Sequence, residues 1–164
     1  MLKKLHTLLS NEELIFLNSI CSSFVEIKSH SIISKEKNNY YLTKILNSKI
    51  HLLEYQKKCI THLDGEYEIQ GSWINKINAI TNQNDDFHTD ESDISIVTYL
   101  NEDFEGGEFE YIFNDETIKI RPIKNTTLIM NREIRHRVLN VTNGERFSLI
   151  FFYKKLQKKQ KTLI

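Results

Sequence analysis

The chain has 164 residues, with 22 basic and 22 acidic side chains that cancel to a formal net charge of zero. Hydrophobic residues make up 40% and charged residues 27%, which suits one globular domain with one core and is short for two. This balance excludes a chain-wide positive field for nucleic acid or an anionic membrane, and no run approaches the ~18 apolar residues of a membrane-spanning helix.

The first sixteen residues carry Lys3 and Lys4 but no sustained apolar run, and Glu12 and Glu13 interrupt them. No secretory signal is expected, and a cytoplasmic protein follows as the default. Ser10 with Glu13 three residues later predicts a capped helix start, and Leu14, Ile15, Leu17, Ile20 and Phe24 continue it as an apolar stripe. A second helical pattern opens at Ser34-Lys35-Glu36-Lys37. It runs through Leu42, Ile45, Leu46, Leu53, Ile60 and Leu63 to a stop at Gly65. Cys21 and Cys59 fall in these helices without a Cys-x-x-Cys pair, and read as buried free thiols of a reducing compartment.

Beyond Gly65 the texture changes to short runs of Ile, Val, Thr, Tyr and Phe. Strands are predicted near 67–71, 74–81, 94–100, 108–113, 116–120, 126–130, 136–141 and 145–153. Turns carry Gly106-Gly107, Asn114-Asp115, Pro122, Asn131 and Asn143-Gly144. Eight strands after two helices predict an α+β fold, a double-sheet jelly roll with the helices packed on one sheet. The expected organisation is one domain over 1–164. Residues 1–65 give helical support, 66–153 form the β core, and 154–164 form a lysine-rich tail that reads as a solvated end.

Of the six histidines, His6, His30, His51 and His62 read as ordinary polar residues of the helical half. His88 differs, because it stands in Phe87-His88-Thr89-Asp90. In an extended segment residues i and i+2 share a side, which puts an imidazole and a carboxylate together. His136 opens a later strand and can add a third ligand. Two histidines and one carboxylate on one face of a metal leave positions open, as in non-haem iron(II) oxygenases. His-x-Asp alone is a weak signal. Ten residues after His136 comes Arg146, on a strand where Arg146, Ser148, Ile150 and Phe152 share one face while Phe147, Leu149 and Phe151 share the other. A strand apolar on both faces is buried between layers, so a charged Arg146 within it needs a partner. Either a dicarboxylic cosubstrate or a structural ion pair with Glu110 or Asp103 meets that need.

In order, the chain shows His88-Thr89-Asp90, Ile96-Val97-Thr98-Tyr99-Leu100-Asn101 and Phe104-Glu105-Gly106-Gly107-Glu108-Phe109. Ile120-Arg121-Pro122, Thr127-Leu128-Ile129-Met130, His136-Arg137-Val138 and Gly144-Glu145-Arg146-Phe147-Ser148-Leu149 follow. With these motifs the stretch from Phe87 to Tyr153 resembles the catalytic core of the prolyl 4-hydroxylase-like iron(II)/2-oxoglutarate-dependent oxygenases. The resemblance implies a double-stranded β-helix of the jelly-roll or cupin kind. It implies Fe(II) on His88, Asp90 and His136, 2-oxoglutarate as cosubstrate held by Arg146, and dioxygen as oxidant, with ascorbate as a stimulatory reductant. Tyr99 matches a tyrosine that contacts the same cosubstrate carboxylate, and Ser148 faces the same way as Arg146. The implied reaction is hydroxylation of a C–H bond, with succinate and CO2 as co-products. A peptidyl side chain such as proline is the first expectation for the substrate, and a free amino acid or small metabolite is the alternative. A reading of another class is a silent barrel that binds a metal or a partner without turnover. No nucleic-acid or membrane partner is expected. One departure stands out. Relatives carry a tyrosine shortly before His-x-Asp, where this chain has Asn78 to Asp86 without one, so that contact is either lost or made by Asn78 or Thr81.

Overall fold

The structure is a computed structural model that describes residues 1–22, 50–80 and 86–157. The predicted helix start at Ser34, His30, Thr81 and the lysines beyond residue 157 lie outside the described residues.

The elements follow in order: β1 (Leu2–His6), α1 (Asn11–Ser22), α2 (Ile50–Ile60), β2 (Tyr67–Asn78), β3 (Ile94–Tyr99), β4 (Glu105–Gly106), β5 (Phe109–Phe113), β6 (Glu116–Ile120), β7 (Thr126–Asn131), β8 (His136–Val138), β9 (Val141–Asn143) and β10 (Glu145–Lys155). Their pairing is antiparallel throughout. A five-stranded sheet has the order β1-β7-β3-β10-β2, a three-stranded sheet the order β6-β5-β8, and β4 pairs with β9.

Side-chain alternation sorts the five-stranded sheet into two chemistries. On one face Phe147, Leu149, Phe151, Ile74, Ile96 and Ile129 meet Leu14, Leu17 and Cys21 of α1 and Tyr55 and Cys59 of α2. This is the predicted packing of helices on one sheet. On the other face Val97, Tyr99, Leu128, Met130 and Ile150 meet Phe109, Ile134 and Val138 from the smaller sheet side. β3 is buried along its whole length, as expected of a strand covered on both faces.

α1 starts as its sequence predicts. Ser10 N donates to Glu13 Oε2 at 2.6 Å and Glu13 N donates to Ser10 Oγ at 3.2 Å, the reciprocal capping box. Glu13 is buried and meets Lys58 Nζ of α2 at 3.4 Å, which ties the two helices. Behind β3, the Tyr55 hydroxyl from α2 bonds to the Thr98 hydroxyl, and Thr98 bonds to Thr127 Oγ1 at 2.8 Å.

Several elements differ from expectation, among them the short β4, which no predicted strand covers. β1 was not predicted, because its five residues carry two lysines; it forms the edge of the large sheet beside β7. The two strands expected over 67–81 are one continuous β2, with a register shift opposite Phe152/Tyr153. The single strand expected over 136–141 is split into β8 and β9, which join different sheets. α2 ends at Ile60, five residues before Gly65, and continues as turns closed by His62 N→Cys59 O at 3.1 Å and Leu63 N→Ile60 O at 2.9 Å. The Asn114-Asp115 turn between β5 and β6 has φ of 50° and 65°, the left-handed pair that a two-residue hairpin requires. Among the described residues no helix is long and apolar enough to cross a membrane.

Candidate active site

His88 and His136 are joined by their own backbones. His88 N donates to His136 O at 3.0 Å, and His136 N donates to His88 O at 2.8 Å, an isolated antiparallel bridge. This pairing sets both imidazoles side by side, with ring centroids 4.6 Å apart. Each ring is then oriented in the same way. His88 Nδ1 lies 3.0 Å from the carbonyl of Asp86, and His136 Nδ1 lies 3.0 Å from the carbonyl of Ile134. A carbonyl only accepts, so both Nδ1 atoms carry the proton and Nε2 is the metal-binding nitrogen. Phe109 stacks on His136 with centroids 5.2 Å apart and restricts its ring further.

Asp90 completes the group. One oxygen, Oδ1, lies 3.8 Å from His136 Nε2. The other, Oδ2, accepts from the Ser95 hydroxyl, and Ser95 is itself bonded to Ser92 Oγ at 2.9 Å. The three ligand atoms of His88, Asp90 and His136 all lie within 4.8 Å of one another, which fits a single ion. His136 is buried, Asp90 half-buried and His88 exposed, so the space opens to solvent on one side. Ser92 and Ser95 escaped the sequence reading. The visible trace was Ser95 as a small polar residue inside the Ile94-to-Val97 run.

Arg146 is 2% exposed and faces the interior between the sheets, as alternation predicts. Its Nη1 reaches Ser148 Oγ at 3.4 Å, and its guanidinium carbon lies 5.0 Å from the centre of the Tyr99 ring. Among the described residues no ion pair involves Arg146. Glu110 is taken by Arg137, at 2.8 Å, and by Lys119, at 3.6 Å, and Asp103 accepts from Asn101 at 2.8 Å. The structural ion pair considered from sequence is therefore not formed. Two donors at this place are instead buried without a partner, Arg146 Nε and the Tyr99 hydroxyl. Burial holds the Tyr99 phenol above its ordinary pKa and the Arg146 guanidinium below its own, each partly offset by the other. Gly107 (φ +67°) lets the chain pass over the Arg146 stem; a Cβ there would stand 3.0 Å from Arg146 Cδ and 2.9 Å from Val141 Cγ2. Asn78, one of the two residues weighed for the missing tyrosine, lies at the end of β2. It pairs with Glu145 on the face away from Arg146, and its Oδ1 accepts from Ile80 N at 3.0 Å. A surface cavity of about 930 Å³, lined by Tyr67, Asp93, Arg132 and Lys154 among others, includes none of these residues.

Residues 50–154 match the 2OG-Fe(II) oxygenase superfamily. The chain belongs to that superfamily. Its fold agrees. An oxidoreductase of the 2OG-Fe(II) oxygenase family from Burkholderia pseudomallei superposes with a TM-score of 0.65 at 21% identity, over 93% of this chain and 84% of that one. A truncated form of the viral collagen prolyl hydroxylase from Paramecium Bursaria Chlorella virus-1 gives 0.67 at 18% identity, over 95% and 90%. A non-haem α-ketoglutarate-dependent carbocyclase from nogalamycin biosynthesis gives 0.66 at 10% identity, over 94% and 79%. No curated protein matches the sequence. As an oxygenase of this superfamily the protein uses iron(II) and 2-oxoglutarate, and its own residues fit both. A compact His/Asp/His group suits the ion, and two orphaned buried donors suit the far carboxylate of the cosubstrate.

Proposed function

We propose that this oxygenase hydroxylates a C–H bond of a peptidyl side chain, proline first, and releases succinate and CO2. The observation that carries the oxygenase assignment to these residues is the pairing of the His88/Asp90/His136 group with unpartnered donors on Arg146 and Tyr99. The peptide reading is supported by the motifs from Phe87 to Tyr153 and by the similar fold of a viral collagen prolyl hydroxylase.

In this reading His88 and His136 ligate through Nε2 and Asp90 through Oδ1. Bound iron(II) and 2-oxoglutarate supply the oxidising power, because decarboxylation of the 2-oxo acid by dioxygen drives insertion of one oxygen atom into the substrate. The chain supplies orientation and shelter. The Asp86 and Ile134 carbonyls hold the imidazole tautomers, and Ser95 holds Asp90 so that one oxygen faces the ion. Arg146, with Tyr99 and Ser148 beside it, binds the distal carboxylate. Val97, Leu128, Met130 and Ile134 keep the inner end apolar, which strengthens these charged contacts. We read the chain as one domain in which α1 and α2 support the large sheet, while residues 66–153, with β1 added at the sheet edge instead of belonging to the helical support, form the oxygenase core.

A free amino acid or small metabolite is the second reading. It is favoured by the comparable fold similarity to a carbocyclase of nogalamycin biosynthesis. Incubation with iron(II), 2-oxoglutarate, ascorbate and either proline-containing peptides or free amino acids, read by mass spectrometry, separates the two. A gain of one oxygen on peptides is expected; a gain on free amino acids alone rejects the peptide reading.

A further inference from the structure

We propose that Asn75 is a further cosubstrate-binding residue, donating from its carboxamide to the distal carboxylate that Arg146 holds. This rests on the cosubstrate reading above. Ser148 of β10 is paired on one side with Tyr99 of β3 and on the other with Asn75 of β2. Directly opposed residues of antiparallel strands share a face, with Cβ atoms roughly 5 Å apart. Tyr99, Ser148 and Asn75 therefore form one polar row across three strands, on the face that carries Arg146 one row along. The row lies among apolar neighbours, with Ile150 of the same face in the inner core.

Three atoms in this neighbourhood are buried without a partner: Arg146 Nε, the Tyr99 hydroxyl and Asn75 Oδ1. A buried polar group without a partner is destabilising, and three together mark a place built for something polar. The amide of Asn75 exchanges its oxygen and NH2 by rotation about its last torsion, with almost no change of shape. It can thus turn a donor toward an anion already facing Arg146 and Tyr99. A carboxylate has about four lone-pair positions, enough for Arg146, Tyr99, Ser148 and Asn75 together.

The test measures binding of 2-oxoglutarate, and of 2-oxobutyrate, which lacks the distal carboxylate, to the Mn(II)-loaded protein by calorimetry. Asn75→Ala is expected to weaken 2-oxoglutarate roughly ten-fold, the loss of one hydrogen bond to a charged group, and to leave 2-oxobutyrate unchanged. Asn75→Asp keeps the size but opposes the carboxylate with a like charge, and is expected to weaken 2-oxoglutarate further than Asn75→Ala does. Equal weakening of both 2-oxo acids would show that Asn75 merely shapes β2, and unchanged 2-oxoglutarate affinity in both variants would show that it makes no contact; either result overturns the proposal. Arg146→Ala runs alongside. Loss of 2-oxoglutarate binding there, with none in the Asn75 variants, rejects Asn75 alone, whereas wild-type binding in Arg146→Ala rejects the cosubstrate reading itself.

Discussion

At the scale of single residues, the site separates groups that would bind from groups that hold them. Asp90→Ala and His136→Ala are expected to abolish succinate formation and the visible charge-transfer band that iron(II) and 2-oxoglutarate produce together under nitrogen; an intact band in either variant rejects the ligand assignment. Ser95→Ala touches no ion, yet it releases the second oxygen of Asp90. Loss of such a supporting partner lowers metal affinity or activity by roughly 10–100-fold, which a titration with Mn(II) would register. Gly107→Ala acts from the other end. The added Cβ meets Arg146 Cδ and Val141 Cγ2 at a positive φ, and a residue forced into that region is strained by about 1–2 kcal/mol. It is expected to raise the 2-oxoglutarate dissociation constant and leave metal affinity unchanged. The shared side of His88 and Asp90 and the inward face of Arg146 were legible from spacing and alternation, whereas their roles, with His136 as third ligand, came from the resemblance of the ordered motifs to known oxygenases. Ser95 was not legible, because its bond to Asp90 depends on how the loop before β3 folds back, and Asn75 was not, because only the register of β2 on β10 sets it beside Ser148.

Among the secondary-structure elements, the connections decide what holds. Asn125 has φ of 60° and is buried between the N-terminal segment and the large sheet. Its Oδ1 accepts from Leu9 N at 3.0 Å, its Nδ2 donates to Leu9 O at 2.9 Å, and its own N donates to Tyr99 O at 2.8 Å. Asn125→Ala deletes two buried side-chain bonds and leaves Leu9 unpaired, a loss of about 2–4 kcal/mol to be read as a lower urea midpoint. The α1 cap was legible because Ser10 and Glu13 are local to it. β1 was not, since Leu2 to His6 becomes a strand only through pairing with β7, more than a hundred residues away. The same reason joins β2 and splits β8 from β9: the partner strands, not the local propensities, set those boundaries.

For the molecule as a whole, the helix-facing core sets the response to pH. Burial pushes the thiols of Cys21 and Cys59 up to about 12 from 9.0. The folded state therefore keeps both protons through a range where the unfolded chain releases them. Their contribution to stability is complete below pH 9 and is lost as pH rises towards 12, at about 1.4 kcal/mol per unit for each thiol. The Tyr55, Tyr99 and Tyr153 phenols, raised by burial in turn, add the same sign above pH 10. Denaturation midpoints should be flat near neutrality and fall steeply beyond pH 9; a flat profile to pH 11 would contradict this core. The two-layer plan was legible from Phe147, Leu149 and Phe151 against Arg146, Ser148 and Ile150, because a single strand displays both chemistries at once. The backbone bridge between His88 and His136 has a consequence for how such a protein handles its ion. Peptide groups, not the metal, hold the two imidazoles together, so an emptied site has little to rebuild. Loading should then run at a pace set by the ion shedding its water, and chelation should silence the protein reversibly, with its far-ultraviolet dichroism unchanged.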